Sequence, residues 1–345
     1  MVIGVVSAGG QHSGATIGFN VDDPVLEANV SATLGEIERA LRAAAVSSDP
    51  FVAEAARHLA DAGGKRFRPL LVAISANFGD ARARNVVVAG TVVELTHLAT
   101  LYHDDVMDEA TVRRGAPSAN TRWGNSVAIL IGDYLFARAA DLAADLGLEA
   151  VRIQAATFAR LVHGQIAETV GPRQGEDKIE HYLRVISQKT GSLIATSARL
   201  GGMFSGADPA DVESLAGYGE TIGTAFQLSD DLLDISSDSL QSGKTPGTDL
   251  REGVNTLPAL YALESEENDA AAQRLRTLLS QGPITDDAAH AEALALLRES
   301  TALKRARETV RVYTERARAA LAPLPEIPAR RALESLCDFI ADRTG

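Results

Sequence analysis

Two short acidic segments of the chain carry residue types that bind metal ions. Each contains the pattern Asp-Asp-x-x-Asp, in HDDVMDEA at 103–110 and in QLSDDLLDI at 227–235. The six aspartates are Asp104, Asp105, Asp108, Asp230, Asp231 and Asp234. On an α-helix the first and last members of each pattern share one face, where like charges four residues apart destabilise the helix by about 0.2–0.5 kcal/mol. The chain carries two such pairs of like charges, each within an apolar stretch. Because each pair destabilises its helix, we infer that both segments serve a function.

Divalent metal binding is the chemistry that these carboxylates permit. Mg²⁺ prefers oxygen ligands and typically takes one or two carboxylates together with the phosphates of a substrate. The two segments therefore predict a Mg²⁺-diphosphate site held between two helices. A solvated acidic helix end is the simpler interpretation of one segment alone, but two copies among apolar residues weaken it.

Basic residues at several places in the chain supply the cations that an anionic substrate needs. Lys65, Arg66 and Arg68 follow a pair of glycines. The others are Arg113, Arg114, Lys189 and Lys244. Arginine matches phosphate oxygens with two parallel hydrogen bonds, whereas lysine acts as a point charge. Any one of them alone would be interpreted as a surface charge.

Helices must position these residues, because apolar residues recur at steps of three and four through most of the chain. Loops rich in Gly, Pro and Asp divide it into about ten to thirteen helices, and no convincing run of alternating strand residues is present. His97, Thr100 and Asp104 share one helix face, with His97 about 10.5 Å below Asp104. His97 alone would be interpreted as a core histidine. The pattern predicts a single all-α domain.

The composition limits the class of protein. The chain has 345 residues, of which 46% are hydrophobic and 23% charged, as in ordinary globular proteins. A net charge of −13 argues against nucleic-acid binding. The single cysteine, Cys337, cannot form an internal disulfide, which agrees with a cytoplasmic location. Residues 1–25 lack the basic residues of a signal peptide and predict a flexible leader, and no apolar run is long enough to span a membrane.

Six segments together resemble the trans-prenyltransferases, the all-E polyprenyl diphosphate synthases, in the order in which that family carries them. They are GGKRFRP, ELTHLATLYHDDVMDEATVRRG, GDYLF, QKTG, FQLSDDLLD and GKTPGTDLREG. The resemblance runs from about Asp61 to Pro258. It implies an isoprenoid synthase fold, a single large antiparallel helical bundle around a deep central cavity, formed here by residues 26–345 and usually found as a homodimer.

The resemblance also implies a role for each site residue. Asp104, Asp108 and Asp230 would bind about two or three Mg²⁺ ions, with Mn²⁺ as a substitute. Weaker ligands, through water or as supports, would be Asp105, Asp231 and Asp234. The allylic diphosphate would be held by Arg113, Lys189, Thr190, Gln227 and Lys244. Isopentenyl diphosphate would be held by Lys65, Arg68, His97 and Arg114. The set expected to act in catalysis is Asp104, Asp108, Arg113, Lys189, Asp230 and Lys244.

The implied reaction is a head-to-tail condensation. Metal ions stabilise the leaving diphosphate, the π bond of isopentenyl diphosphate attacks the allylic cation, and loss of a proton restores an alkene. The family often has a lysine after the second acidic motif, where this chain has Asn255, so one phosphate contact differs.

The expected product is a long-chain all-trans polyprenyl diphosphate. Ala99 and Thr100, about one helical turn (5.4 Å) before Asp104, are small where bulky aromatics block a growing chain in short-chain members of the family. Tyr102 and Phe136 are the nearest bulky side chains, as cavity walls or as ordinary core aromatics. A quinone side chain is the expected destination, with peripheral membrane contact at product release.

Other functions stay open at this point. A shorter product would make the chain a geranylgeranyl or farnesyl diphosphate synthase. A class I terpene cyclase would ionise the same substrates but would leave Lys65, Arg68 and Arg114 without a role. A non-catalytic partner subunit typically loses an acidic motif, and both are intact here. A purely structural helical protein would leave the acidic clusters unexplained.

Overall fold

The computed structural model describes residues 23–236 and 246–343. These residues form sixteen α-helices, one 3₁₀ turn, one π-helical segment and a two-stranded hairpin. The first eight helices are α1 (Pro24–Ala44), α2 (Pro50–Asp61), α3 (Phe67–Ser75), α4 (Arg84–Met107), α5 (Ala119–Trp123), α6 (Asn125–Leu146), α7 (Leu148–Val170) and α8 (Lys178–Ile186). The others are α9 (Ser192–Ser205), α10 (Pro209–Ser236), α11 (Thr248–Glu252), α12 (Leu257–Leu263), α13 (Ala270–Leu279), α14 (Asp287–Glu299), α15 (Thr301–Ala320) and α16 (Pro328–Asp342).

The remaining regular segments are short. The 3₁₀ turn is Ala76–Phe78 and the π-helix is Ser187–Gly191, between α8 and α9. The hairpin pairs β1 (Val112–Arg113) with antiparallel β2 (Ala116–Pro117). The all-α prediction is confirmed. The predicted helix number was too low, in part because α5 and α11, of five residues each, lie inside segments interpreted as loops.

Aspartate caps explain where many helices begin. Asp23 precedes Pro24 and accepts hydrogen bonds from the backbone N–H groups of Val25 and Leu26, at 3.0 and 2.8 Å. Asp49 and Asp177 begin α2 and α8 in the same way. A carboxylate at this position satisfies helix N–H groups that otherwise lack partners, and proline is well placed in the first turn. Because α1 begins at Pro24, the last two residues of the predicted leader are helical; residues 1–22 lie outside the described part.

The chain divides into two compact units. The first takes the described residues up to Arg160, together with Ser192–Gly219 and Ala320–Ser335. The second takes Leu161–Gly191, Glu220–Ala319 and the residues from Leu336 onward. The prediction of a single domain with a central cavity therefore stays a prediction.

The core of the first unit forms where α1, α2, α4 and α6 pack together. Its fully buried members include Leu41, Leu59, Leu98 and Leu135. Many positions between them are alanine, and small residues allow helices to approach closely. At Gly132 of α6, an added Cβ would lie 2.3 Å from His103 Nε2 of α4. Glycine at this position brings α6 against the end of α4 that carries the first acidic motif.

One described helix, α4, is long and apolar enough by length and composition to cross a membrane. However, 67% of its most apolar stretch is buried in the structure, and the core helices of soluble proteins pass the same test. The absence of a membrane span thus stays a prediction. Cys337 is buried and forms no disulfide.

Candidate active site

The first acidic motif lies at the carboxyl end of α4. Asp104 and Asp105 belong to its last turn, and the backbone N–H of Asp108 caps the helix by donating to the Asp104 carbonyl at 2.8 Å. Asp104 is half-buried, Asp105 is buried and Asp108 is exposed. The carboxyl end of a helix carries partial negative charge, so three carboxylates there are unfavourable without a cation.

Arg113 supplies one such cation. Its Nε lies 2.5 Å from Oδ1 of Asp105, a carboxylate with no exposed surface. Burial nevertheless raises the pKa of Asp105 above its ordinary value, because the pairing with Arg113 offsets only part of the desolvation. Among the described residues, the other oxygen of Asp105 is buried and accepts no hydrogen bond. Asp105 therefore faces the protein, which suits the supporting role expected for it.

A tight hairpin turns the two arginines in opposite directions. Its loop is Arg114-Gly115, and both residues have positive φ, 55° and 76°, as a type I′ turn requires. Arg113 on β1 reaches Asp105, whereas Arg114 reaches the α2–α3 turn. There Arg114 Nη1 donates to the carbonyls of Leu59, at 2.9 Å, and Gly63. The adjacent basic residues thus serve two different places.

The glycine-rich turn is built around Arg66. This residue is buried, has a left-handed φ of 49° and donates to the carbonyls of Ala60 and Gly63 at 2.8 and 3.2 Å. Its guanidinium also pairs with Glu38, and with Glu94 at 3.0 Å. Arg66 therefore holds the turn together, which leaves Lys65 exposed on the same turn and Arg68 at its end.

Arg68, His97 and Arg114 form a cationic cluster next to Glu94, and we refer to these four residues as the basic cluster. Burial lowers the pKa of Arg68 to about 10, with Arg114 acting in the same direction while Glu94 and Asp104 oppose it. Burial and the neighbouring arginines keep the pKa of His97 well below its ordinary value. His97 is therefore neutral at physiological pH, beside two arginines with one nearby buried carboxylate.

Arg68 adds a direct sign that this cluster binds an anion. Its Nε is buried and donates to no group among the described residues. A buried, unpaired guanidinium nitrogen is unfavourable, and a phosphate oxygen would satisfy it. The structure thus brings Arg68, His97 and Arg114 together as expected, with Lys65 on the adjoining turn.

The second acidic motif lies in the second unit, at the carboxyl end of α10. Asp230 pairs with Arg343, which follows α16, and the guanidinium of Arg343 lies 5.0 Å from the ring of Phe226. Both oxygens of Asp234 accept backbone N–H groups at the start of α11, those of Thr248 and Asp249, each at 3.2 Å. Of the three aspartates, Asp234 is thus a helix cap in this structure, which suits a weak ligand.

Asp231 is the buried member of this motif. It accepts a hydrogen bond from the hydroxyl of Tyr182 and another from Gln227 Nε2 at 2.9 Å. Burial raises the pKa of Asp231 to about 8, although the hydrogen bonds from Tyr182 and Gln227 act to lower it. Its partners are protein groups, as are those of Asp105 in the first motif.

The π-helix carries the next pair of expected residues. Lys189 Nζ lies 2.5 Å from Glu168 Oε2, and Thr190 Oγ1 lies 3.3 Å from Gln227 Oε1. One extra residue in a helical turn is common at functional sites because it redirects side chains. Lys244 lies outside the described residues. Asn255, where the family often has lysine, is exposed.

The accessible carboxylates suit a divalent metal ion that takes its other ligands from water or from phosphate. Among residues 23–236 and 246–343, no three His, Cys, Asp or Glu side chains are close enough to hold a metal by themselves. Mg²⁺ rarely occupies a site built from protein groups alone and usually retains water and substrate phosphate. Each motif, taken by itself, offers one or two accessible carboxylates, Asp104 and Asp108 in the first and Asp230 in the second, which suits an ion of this kind.

The two residues expected to control product length differ in their surroundings. Ala99 is fully buried in the core, and its carbonyl lies close to Gly132 of α6. Thr100 is half-buried on the face of His97 and Asp104, and its hydroxyl donates to the His97 carbonyl at 2.7 Å. Thr100 therefore belongs to the site face of α4, whereas Ala99 belongs to the interface with α6.

The two aromatic side chains considered as cavity walls also differ in their surroundings. Tyr102 is an ordinary core residue: it is fully buried, and its hydroxyl donates to the Ala55 carbonyl at 2.5 Å. Phe136 packs on Phe158, with ring centroids 4.2 Å apart, and lies 5.7 Å from the ring of His103. It lines the same side of α4 as Ala99.

Sequence reasoning missed three residues of the site. Glu94 lies three residues before His97 on an otherwise apolar stretch, and that spacing was a usable signal. Tyr182 is an aromatic on an amphipathic helix, which indicates nothing more than core. Arg343 lies 113 residues from Asp230 in the sequence, and no local pattern relates them.

Comparison with known proteins places these features in a family. The polyprenyl synthetase family matches residues 49–297. Nonaprenyl diphosphate synthase of Mycobacterium tuberculosis is 54% identical over 331 residues, which cover 95% of this chain and 97% of that protein.

Two solved structures are similar throughout. Geranylgeranyl pyrophosphate synthase from Corynebacterium glutamicum, complexed with calcium and isoprenyl diphosphate, is 44% identical with a TM-score of 0.85, covering 94% of this chain and 99% of that one. Decaprenyl diphosphate synthase from Rhodobacter capsulatus is 34% identical with a TM-score of 0.83, covering 93% and 99%. The similarity confirms the isoprenoid synthase fold.

The low pKa of His97 predicts that the folded protein loses stability as the pH falls. Below about pH 6.5 the unfolded chain binds a proton at His97 that the folded chain does not, so the free energy of unfolding falls as the pH falls, by about 1.4 kcal/mol per unit from this residue. His97→Gln removes this contribution. Thermal melts between pH 5 and 7, without divalent metal, should show a smaller loss of Tm in the variant than in the wild type. His163→Gln, at an exposed histidine, is the control; equal losses in all three proteins would contradict the prediction.

Proposed function

The chain belongs to the polyprenyl synthetase family and is a trans-prenyltransferase, and on this premise we propose that it makes long-chain polyprenyl diphosphates and how its residues perform the reaction. The proposal is a Mg²⁺-dependent head-to-tail condensation of isopentenyl diphosphate onto an allylic diphosphate. The observation that carries it is the basic cluster, a buried anion site whose Arg68 lies within electrostatic reach of Asp104. One substrate diphosphate can bind there while the aspartates serve the other.

Divalent metal use follows from the family and from the calcium-bound relative. In our proposal the ion is Mg²⁺, about two or three per active site, with Mn²⁺ as a substitute. Asp104, Asp108 and Asp230 are the ligands, and the remaining three aspartates support them. When bound, the metal supplies Lewis-acid stabilisation to the oxygens of the leaving diphosphate.

The other residues bind and separate the two diphosphates. Arg113, Lys189, Thr190, Gln227 and Lys244 hold the allylic diphosphate. Lys65, Arg68, His97 and Arg114 hold isopentenyl diphosphate, where buried arginines provide bidentate hydrogen bonds. A neutral His97 suits this role because it can donate to a phosphate oxygen without adding charge to the cluster. Isopentenyl diphosphate held in this way keeps its own diphosphate, so only the allylic partner ionises.

The bonds that change can be stated completely. The allylic C–O bond breaks and releases diphosphate, and a carbon–carbon bond forms between the allylic carbon and the terminal alkene carbon of isopentenyl diphosphate. This leaves the positive charge on the methyl-bearing alkene carbon, and a proton then leaves the methylene group next to that carbon, which restores a carbon–carbon double bond. The released diphosphate is the base that takes this proton. No nucleophilic serine or cysteine is involved.

The setting of the reaction is also part of the proposal. The product serves as a quinone side chain, the enzyme acts in the cytoplasm, and a peripheral membrane contact releases a product too apolar for water. These three points rest on the family resemblance and on the chemistry of a long hydrocarbon chain.

A homodimer is the proposed assembly. The exposed face of α6 carries Ile129 and Leu130, 43% and 65% exposed, and continues through Ala137 and Ala140, with Asp133 as an exposed carboxylate among them. Such a face is typical of a surface that a second copy covers.

Light scattering should give twice the chain mass for the wild type. Leu130→Glu should reduce the measured mass to that of one chain.

A shorter product is the second candidate, because the Corynebacterium relative is a geranylgeranyl pyrophosphate synthase at 44% identity. An enzyme of this kind would catalyse the same condensation and would differ from the first candidate only in the length at which elongation stops.

The deciding experiment is a transfer assay with labelled isopentenyl diphosphate and unlabelled farnesyl diphosphate, with MgCl₂ or with EDTA. We expect label in products longer than C20, loss of incorporation in EDTA and recovery with excess Mg²⁺. A product that stops at C20 would favour the second candidate. Consumption of farnesyl diphosphate alone would indicate a cyclase, and absence of metal-dependent incorporation would overturn the proposal.

Bulky substitutions before the first motif should shorten the product. Thr100→Phe and Ala99→Phe each place a ring about one helical turn, ~5 Å, below Asp104, and we expect loss of roughly one isoprene unit or more. Mass analysis of the dephosphorylated products measures the length. Because Ala99 is packed against α6, Thr100→Phe should fold better and give the clearer effect. Ala210→Phe, at an exposed alanine, should leave the length unchanged. A folded variant with wild-type products would remove that position from the cavity wall.

A further inference from the structure

A chain of hydrogen bonds in the second unit joins residues expected to serve different tasks. Tyr182 donates its hydroxyl to Asp231 Oδ2, and Gln227 Nε2 donates to Asp231 Oδ1 at 2.9 Å. The carbonyl oxygen of the same amide accepts from Thr190 Oγ1 at 3.3 Å. The chain therefore runs from α8 through the acidic motif on α10 to the π-helix. Tyr182 is its one member to which the proposed function gives no role.

Tyr182 is joined to the Lys189-Thr190 pair by continuous helix. α8 continues into the π-helix without a loop, so Tyr182 and Lys189 lie on one helical stretch, seven residues or about 10 Å apart. Tyr182 fixes the start of this stretch to Asp231, and Thr190 fixes its end to Gln227. Two attachments four residues apart on α10 thus define how the Lys189-Thr190 pair is presented.

The energetics explain why the hydroxyl is needed. Asp231 is 7% exposed and lies near two further carboxylates, Asp230 and Asp249, which disfavour its charge. Its two hydrogen-bond donors are both neutral. A buried carboxyl group that loses one of its two hydrogen-bond donors is left with an oxygen that has lost its partner, and the side chain must then rotate or the helix must move. Either change displaces Asp230, one residue away.

We propose that Tyr182 is a positioning residue for the allylic diphosphate and its metal ions. Its hydroxyl holds Asp231 turned into the protein, so that Asp230 is presented outward and the Lys189-Thr190 pair keeps its place. This inference rests on the proposed function, since it assigns a task at the same site. Tyr182 itself touches neither substrate nor metal.

The test is Tyr182→Phe in the full chain, which removes one oxygen and retains the ring. Tyr261→Phe is the matched control, because the hydroxyl of Tyr261 also makes a half-buried hydrogen bond in this unit, to Thr309 Oγ1 at 2.9 Å. Calorimetry measures the affinity for inorganic diphosphate with MgCl₂, and steady-state kinetics give kcat and the KM of each substrate. Thermal melts report stability in all proteins.

We expect Tyr182→Phe to weaken diphosphate binding and raise the KM of the allylic substrate about tenfold, the size of one hydrogen bond lost at a buried polar group. The KM of isopentenyl diphosphate should change less than about twofold. Tyr261→Phe should lower Tm comparably and change neither constant. In an Asp231→Asn background, Tyr182→Phe should add little, because its acceptor is already altered.

Two results would overturn the inference while leaving the proposed function intact. One is a Tyr182→Phe protein that differs from Tyr261→Phe in no binding constant, which would indicate a structural role only. The other is full additivity with Asp231→Asn. If Tyr182→Phe does not fold, Tyr182→Met, which also lacks a hydroxyl and can fill the space of the ring, takes its place and should raise the same KM selectively; an unchanged KM would overturn the inference. A wild-type chain that neither binds diphosphate nor transfers label would overturn both proposals.

Discussion

The constraint on which each acidic motif depends is the accumulation of carboxylates at the carboxyl end of its own long helix. α4 ends with Asp104 and Asp105, and the last two turns of α10 hold the second motif. The helix dipole disfavours negative charge at that end, and the carboxylates repel one another. Cations must therefore offset this charge. The chain supplies some of them itself, through Arg113 and Arg343, and the proposed metal ions supply the rest.

Within each motif the aspartates divide between the protein and the site. The second aspartate is buried in both motifs and bound by protein groups, Asp105 by Arg113 and Asp231 by Tyr182 and Gln227. The first aspartates are more accessible. This repeated division supports the roles given to Asp104 and Asp230, because a ligand must be reachable and its neighbour must hold it in place. Under the proposed function, Arg343 is the counter-ion of Asp230 that a metal ion would replace.

Local patterns made the helices and the acidic motifs predictable. Helical periodicity predicted an all-α fold, and the spacing of the aspartates predicted which face of α4 carries Asp104 and Thr100. Arg66 shows the limit of such reasoning: it stands between Lys65 and Arg68 in one basic run, yet it is buried and used to close the turn. The partners of Asp230 and Asp231 come from distant segments, and only folding brings them together.

Counting bound metal ions tests the central claim, that accessible aspartates of both motifs are metal ligands. Calorimetric titration with Mn²⁺ in the presence of inorganic diphosphate gives the number of ions per chain. Asp104→Asn and Asp230→Asn should each reduce that number relative to the wild type, whereas Asp145→Asn, at an exposed helix position, should retain it. Wild-type stoichiometry and affinity in either motif variant would contradict the account.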